Sequence, residues 1–175
     1  EHRLMVDCGP GTLRRLAQTS ATPATLDAVL LTHYHTDHCA DLAALLFSLR
    51  SPHLNPRPPL TVYGAPGLKR MVQLLTEAWP WLSPKNYELH LVELAPGTFS
   101  AHGFEITSIP IRHTAQSLGY RIRAGNGLLA LSGDADTCEE LVDLGRDADV
   151  FVCDSAAPDD LKIEGHLTPG LAGRY

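Results

Sequence analysis

Hydrophobic and polar positions along this chain change period, and each change predicts a different kind of element. Leu4-Met5-Val6-Asp7 is a short apolar run that closes on Cys8-Gly9-Pro10-Gly11. It predicts a strand and a turn, followed by a helix from Thr12 to Gln18. Asp27-Ala28-Val29-Leu30-Leu31-Thr32 is continuously apolar at its centre and predicts a buried strand. Leu42, Leu45, Leu46 and Leu49 then fall at i, i+3, i+4 and i+7, the stripe of an amphipathic helix. Ser51–Pro59 holds four prolines and predicts a loop. Leu60–Tyr63 predicts a strand, and Gly67–Ala78 a helix that stops before Pro80.

From Tyr87 the period is two: Tyr87, Leu89, Leu91 and Glu93 alternate with Glu88, His90, Val92 and Leu94. Further strands are predicted at Phe104–Pro110, Leu118–Arg123 and Leu128–Ser132, with Gly125-Asn126-Gly127 as a hairpin turn between the last two. A helix at Cys138–Gly145 and a strand at Val150–Cys153 follow. Strands with interspersed helices and hairpins in the middle predict an α/β protein of packed layers. No repeat, low-complexity tract or linker interrupts residues 1–175, which reads as a single domain.

Composition narrows the function. Of 175 residues, 44% are hydrophobic and 19% charged, the balance of a globular chain. The 14 basic and 20 acidic residues leave a net charge of −6, which argues against a broad basic face for nucleic acid. No apolar run approaches the ~20 residues of a membrane span. Cys8, Cys39, Cys138 and Cys153 contain no C-x-x-C pair and no disulfide framework, which points to a reducing, cytoplasmic setting. The chain starts at Glu1 without a methionine and reads as a fragment. Histidine stands out, with nine residues.

Those histidines are grouped. His33-Tyr34-His35-Thr36-Asp37-His38 follows the Ala28–Thr32 strand and precedes the Leu42 helix. In extended backbone His33 and His35 point to the same side and can share one ion. Asp37 and His38 turn at the helix entrance and can face a second. Three imidazoles and a carboxylate within six residues suit a borderline metal such as zinc, which accepts nitrogen and oxygen ligands. Manganese or iron accept a similar set. Cys39 reads as a small buried residue, and His2, His53, His90 and His102 as incidental.

The H-x-H-x-D-H loop resembles the signature of the metallo-β-lactamase superfamily, and later motifs agree. They are Asp7 in Val6-Asp7-Cys8-Gly9, His113 in His113-Thr114-Ala115-Gln116-Ser117-Leu118-Gly119-Tyr120-Arg121, Asp134 in Ser132-Gly133-Asp134, and His166 in Gly165-His166-Leu167-Thr168-Pro169. The H-x-x-x-S-x-G-Y-R pattern is similar to the ribonuclease Z-like branch. The resemblance implies a four-layer α/β/β/α sandwich, incomplete here at both ends. It implies that His33, His35 and His113 hold a first zinc, Asp37 and His38 a second, and that Asp134 bridges them, with Asp7 supporting the ligand loop. Asp37, Asp154 and His166 are the residues it assigns to catalysis. Asp154, in Val152-Cys153-Asp154, stands where that branch has a glutamate, and would orient His166 for proton transfer. A water shared between two close dications is deprotonated near neutral pH and supplies a nucleophile for a phosphodiester.

Two departures shape the expectation. The family's last ligand is a histidine beyond His166, and residues 167–175 hold none, which predicts a weakened second site. The arm that grips tRNA in many ribonuclease Z enzymes has no room between Tyr120 and Asp134, which a tight hairpin joins. A small phosphodiester is therefore the expected partner ahead of tRNA, with a homodimer also compatible and no membrane contact. Hydrolysis of a lactone, thioester or sulfate ester on the same fold, or a non-catalytic zinc-binding module, are the alternatives.

Overall fold

Parallel pairing of short apolar runs builds the first half of the chain. The structure is a computed structural model that describes residues 2–54 and 57–175, so Asn55 and Pro56 of the proline loop lie outside the described residues. The chain divides into two compact units, Glu1–Leu94 and Ala95–Tyr175.

In the first unit β1 (Leu4–Val6), β2 (Ala28–Leu30), β3 (Leu60–Gly64) and β4 (Leu89–Glu93) pair in that order, all parallel. Every residue of β2 and β3 is buried, the pattern of central strands covered on both faces. Helices α1 (Thr12–Leu16), α2 (Thr36–Cys39), α3 (Asp41–Ser48) and α4 (Leu68–Ala78) connect them. The predicted stripe packs as its spacing requires: Leu42, Leu45, Leu46 and Leu49 are fully buried in one cluster with Val29, Leu31, Leu60 and Val62. Truncating any one to alanine costs about 2–5 kcal/mol.

In the second unit the sheet order is β5 (Gly97–Ala101), β6 (Phe104–Pro110), β7 (Leu118–Ala124), β8 (Gly127–Leu131) and β9 (Val150–Val152). The first four are antiparallel, and β9 pairs parallel to β8. Ala124 pairs with Gly127, so the hairpin predicted at Gly125-Asn126-Gly127 turns on two residues, Gly125 and Asn126. Helix α5 (Glu140–Gly145) covers the sheet through Leu141 and Leu144, and α6 (Pro169–Ala172) follows near the end.

Much of the H-x-x-x-S-x-G-Y-R pattern serves this unit's architecture. Ser117 Oγ accepts from Thr114 N–H at 3.0 Å and closes the turn after His113. A Cβ on Gly119 would stand 2.8 Å from Leu144 Cδ2 and 3.2 Å from the Leu131 carbonyl oxygen, so glycine there lets α5 pack closely without displacing Leu144. Arg121 Nη1 donates to the carbonyls of Asp143, Leu144 and Arg146 at 2.7–2.8 Å and satisfies the end of α5.

Several boundaries differ from expectation. The helix expected at Cys138 begins at Glu140, and the strand expected from Tyr87 begins at Leu89. A helical turn already starts at Thr36, inside the histidine motif, with His35 at its N-cap position. The hydrophobic pattern predicts neither β5 nor α6. β5 carries little apolar signal, whereas Thr168-Pro169 is a helix-start signal, and Thr168 Oγ1 accepts from Leu171 N–H at 3.4 Å.

Candidate metal centre

The first unit assembles its donors through Asp7. This residue directly follows β1 in a left-handed conformation (φ 60°) that non-glycine residues avoid. Its backbone N–H bonds to the Leu30 carbonyl at 2.8 Å, and its Oδ1 accepts from Thr32 N–H at 2.8 Å. Its Oδ2 lies 2.7 Å from His38 Nδ1 and accepts from the Thr32 hydroxyl at 2.8 Å. A carboxylate accepts, so His38 Nδ1 carries the hydrogen and the ring lone pair resides on Nε2. The Thr32 hydroxyl spends its hydrogen on Asp7, so Thr32 Oγ1 accepts from His33 Nδ1 at 3.2 Å. One carboxylate therefore sets the tautomers of two imidazoles, the first directly and the second through a hydroxyl.

The rings are mutually packed. His33 is buried, and its ring centroid lies 4.6 Å from that of His35 and 4.2 Å from that of His38. Asp37 Oδ2 stands 3.6 Å from His38 Nε2 and its side chain is 72% exposed, open to a ligand or ion. The loop is clamped from below: Cys8 N–H bonds to the His38 carbonyl and Asp41 N–H to the Cys8 carbonyl. A Cβ on Gly9 would lie 1.6 Å from the Asp37 carbonyl oxygen, so the close approach of these two loops excludes any side chain there. Cys39 is buried and directs Sγ to the Tyr34 and His35 carbonyls. Burial pushes the Cys8 thiol up to about 12, which leaves it inert as a thiolate ligand.

The second unit gathers His113, Asp134, Asp154 and His166. His113 Nδ1 lies 2.8 Å from the Gly165 carbonyl oxygen, which can only accept, so its lone pair is also on Nε2. That nitrogen faces Asp134 Oδ2 at 3.7 Å. Two ligands on one tetrahedral zinc ion stand roughly 3.4 Å apart, so this pair has the spacing of donors to a shared cation. Asp134, Asp154 and His166 offer ligand atoms within 4.8 Å of one another. Asp154 Oδ2 lies 3.1 Å from His166 Nδ1 and also accepts from Ala135 N–H at 3.2 Å and Leu167 N–H at 3.1 Å.

Asp136, Lys162, Thr32 and Gly9 also shape the site, although the sequence alone assigns them no role in it. Asp136 is buried and meets Lys162 Nζ at 3.0 Å, Thr137 N–H at 2.8 Å and Gly165 N–H at 3.0 Å. Burial alone would raise its carboxyl, but these donors hold it at about 2. The signal was present in Asp134-Ala135-Asp136, two carboxylates two residues apart. Of the histidines read as incidental, His2 pairs with Asp27 at 3.3 Å and His90 with Glu88 at 3.6 Å.

The donor chemistry of both units fits a divalent ion that accepts imidazole nitrogen and carboxylate oxygen. Comparison with known proteins agrees. The profile described as Beta-lactamase superfamily domain matches residues 2–175. A Ribonuclease Z of Mycobacterium bovis is 31% identical over 163 residues, covering 85% of this chain and 58% of the relative. The chain thus spans less than two thirds of that relative's length. The metallo-beta-lactamase fold protein YhfI from Bacillus subtilis superposes with a TM-score of 0.83 at 26% identity, covering 99% of this chain and 68% of that one. The short form of human tRNase Z superposes with a TM-score of 0.80 at 21% identity, covering 99% of this chain and 76% of that one, a likeness of fold.

Proposed function

The chain belongs to the β-lactamase superfamily, and from that premise we propose that it is a metal-dependent hydrolase whose substrate class is a phosphodiester. One observation carries the reading. His33, His38 and His113 each direct Nδ1 at an oxygen that fixes the proton there, which leaves Nε2 as donor on all three. Incidental histidines have no need of a common tautomer. We assign His33, His35, Asp37 and His38 of the first unit and His113 and Asp134 of the second as metal donors. Zinc suits this set best, with manganese or iron also compatible. When bound, the metal lowers the pKa of water towards neutrality and offsets charge on the attacked group.

The chain's own residues supply the rest. Asp154 holds His166 through Nδ1, which leaves Nε2 to hand a proton to the leaving oxygen. As a general acid His166 would act as the imidazolium, with one proton held on Nδ1 by Asp154 and the transferred proton on Nε2. Substrate size follows from β7 and β8, which a two-residue turn joins directly. That segment offers no arm for gripping tRNA, so a small phosphodiester is the favoured substrate. All four cysteines are free thiols, in keeping with a cytoplasmic location. No helix of the described residues is long and apolar enough to cross a membrane.

The test is turnover of bis(p-nitrophenyl) phosphate beside a panel of chromogenic lactones, thioesters and sulfate esters. Preferential hydrolysis of the phosphodiester, abolished by His33→Ala, is the expected result. Faster hydrolysis of another ester would replace the substrate class while keeping the metal donors. Wild-type activity in His33→Ala would overturn the reading.

A further inference from the structure

We propose that Asp136, with Lys162, is a positioning residue that sets the tautomer of His113 and the placement of His166. The inference rests on the reading of those histidines as functional groups. Asp136 closes a ring of contacts within the second unit. Its own N–H bonds to the Arg112 carbonyl at 2.7 Å, next to His113. Its Oδ2 accepts from Gly165 N–H at 3.0 Å, and the Gly165 carbonyl receives His113 Nδ1–H at 2.8 Å. Asp136 therefore grips the peptide before His113 with its backbone and, with its side chain, the peptide on the N-terminal side of Gly165, one Cα away from the carbonyl that faces His113.

Gly165 needs that grip. It adopts φ 84°, and a Cβ there would stand 3.2 Å from His113 Nδ1, so neither the local backbone preference nor a side chain holds it in place. Lys162 Nζ anchors the near end of the same loop on Asp136, at 3.0 Å from Oδ1 and 3.1 Å from Oδ2. Asp154 takes the far end through Leu167 N–H. The two carboxylates thus fasten the loop on both sides of His166. Asp154 acts beside the reacting groups, whereas Asp136 reaches His113 through Gly165. If the Gly165 carbonyl swings away, His113 loses the oxygen that keeps its proton on Nδ1, and its donor nitrogen becomes protonated for part of the time.

Metal-free protein tests this without reference to turnover. Long-range ¹H–¹⁵N spectra of the histidine rings are compared in the wild type, Asp136→Ala, Asp136→Asn and Lys162→Met, followed by competition with a chelator for zinc. The wild type should show His113 as the Nδ1–H tautomer. Asp136→Ala should show a mixture of tautomers and about tenfold or greater loss of zinc affinity, the scale seen for residues that orient metal ligands. Asp136→Asn, which keeps an acceptor for Gly165 N–H, should restore most of the tautomer. A merely structural role would lower the melting temperature while leaving tautomer and affinity within twofold, and that result overturns the proposal. So does a wild-type His113 protonated on Nε2. Should Asp136→Ala not fold, Lys162→Met decides: a shifted tautomer with weaker zinc binding supports the proposal, and unchanged values refute it. Failure of the wild type to hydrolyse the phosphodiester would count against the proposed function alone.

Discussion

Asp7 Oδ2 lies 2.7 Å from His38 Nδ1, and the residue that makes this contact sits in a strained left-handed conformation. Such conformations cost on the order of 1–3 kcal/mol and persist where the surroundings enforce them. Here Leu30, Thr32 and His38 all hold Asp7. Asp7→Asn should keep much of the fold and weaken metal binding by about 10–100-fold, because an amide cannot hold the Nδ1 proton as a carboxylate does. Chelator competition reads the affinity. Unchanged affinity would show that His38 is oriented by other means.

Gly9→Ala places a methyl against the Asp37 carbonyl oxygen, which is backbone and cannot rotate away. The ligand loop must shift. Overpacking of this kind costs about 1–3 kcal/mol. The denaturant midpoint should fall, and metal binding should fall with it, since His38 shares the clamped turn.

Arg121→Met separates architecture from chemistry within the His113 motif. It removes the donor to three carbonyls at the end of α5. Loss of charge-assisted hydrogen bonds predicts about 1.5–3 kcal/mol lower stability. Activity per folded molecule should not change, as measured by turnover normalised to the folded fraction. A selective loss of turnover would mean that Arg121 also meets the substrate.

His166→Ala should lower kcat by about 100-fold or more if the imidazole delivers a proton to the leaving oxygen. Adding Asp154→Asn should cost little further, because the two act as a unit through the 3.1 Å contact. Independent, additive losses would break that coupling. A substrate with an acidic leaving group, such as p-nitrophenolate, should be less sensitive to His166→Ala than one with an alkoxide leaving group.

The sequence was most informative where spacing alone dictates geometry. Leu42, Leu45, Leu46 and Leu49 declare their helix face, and His33-x-His35-x-Asp37-His38 declares a set of donors that could hold a metal, because period and donor type need no tertiary knowledge. The alternation that puts His33 and His35 on one side also brings their rings to 4.6 Å. What spacing cannot show is which oxygen each Nδ1 faces. Thr32 reads as the end of a strand, yet its hydroxyl links Asp7 to His33. Asp136 and Lys162 are 26 residues apart and meet only through the folded loop. Conversely, Ser117, Gly119 and Arg121 stand out in a motif beside His113 and serve a turn, a close approach and a helix end.

In the proposed function, hydrolysis depends on a metal held by these imidazoles and carboxylates. The direct measurement is metal content and bis(p-nitrophenyl) phosphate turnover on one preparation, as isolated, after chelation and during titration with zinc. Turnover should vanish with the metal and return in proportion to zinc bound, and His33→Ala should neither retain the metal nor recover. Turnover that persists after the metal is removed, or that returns equally in His33→Ala, would contradict the account.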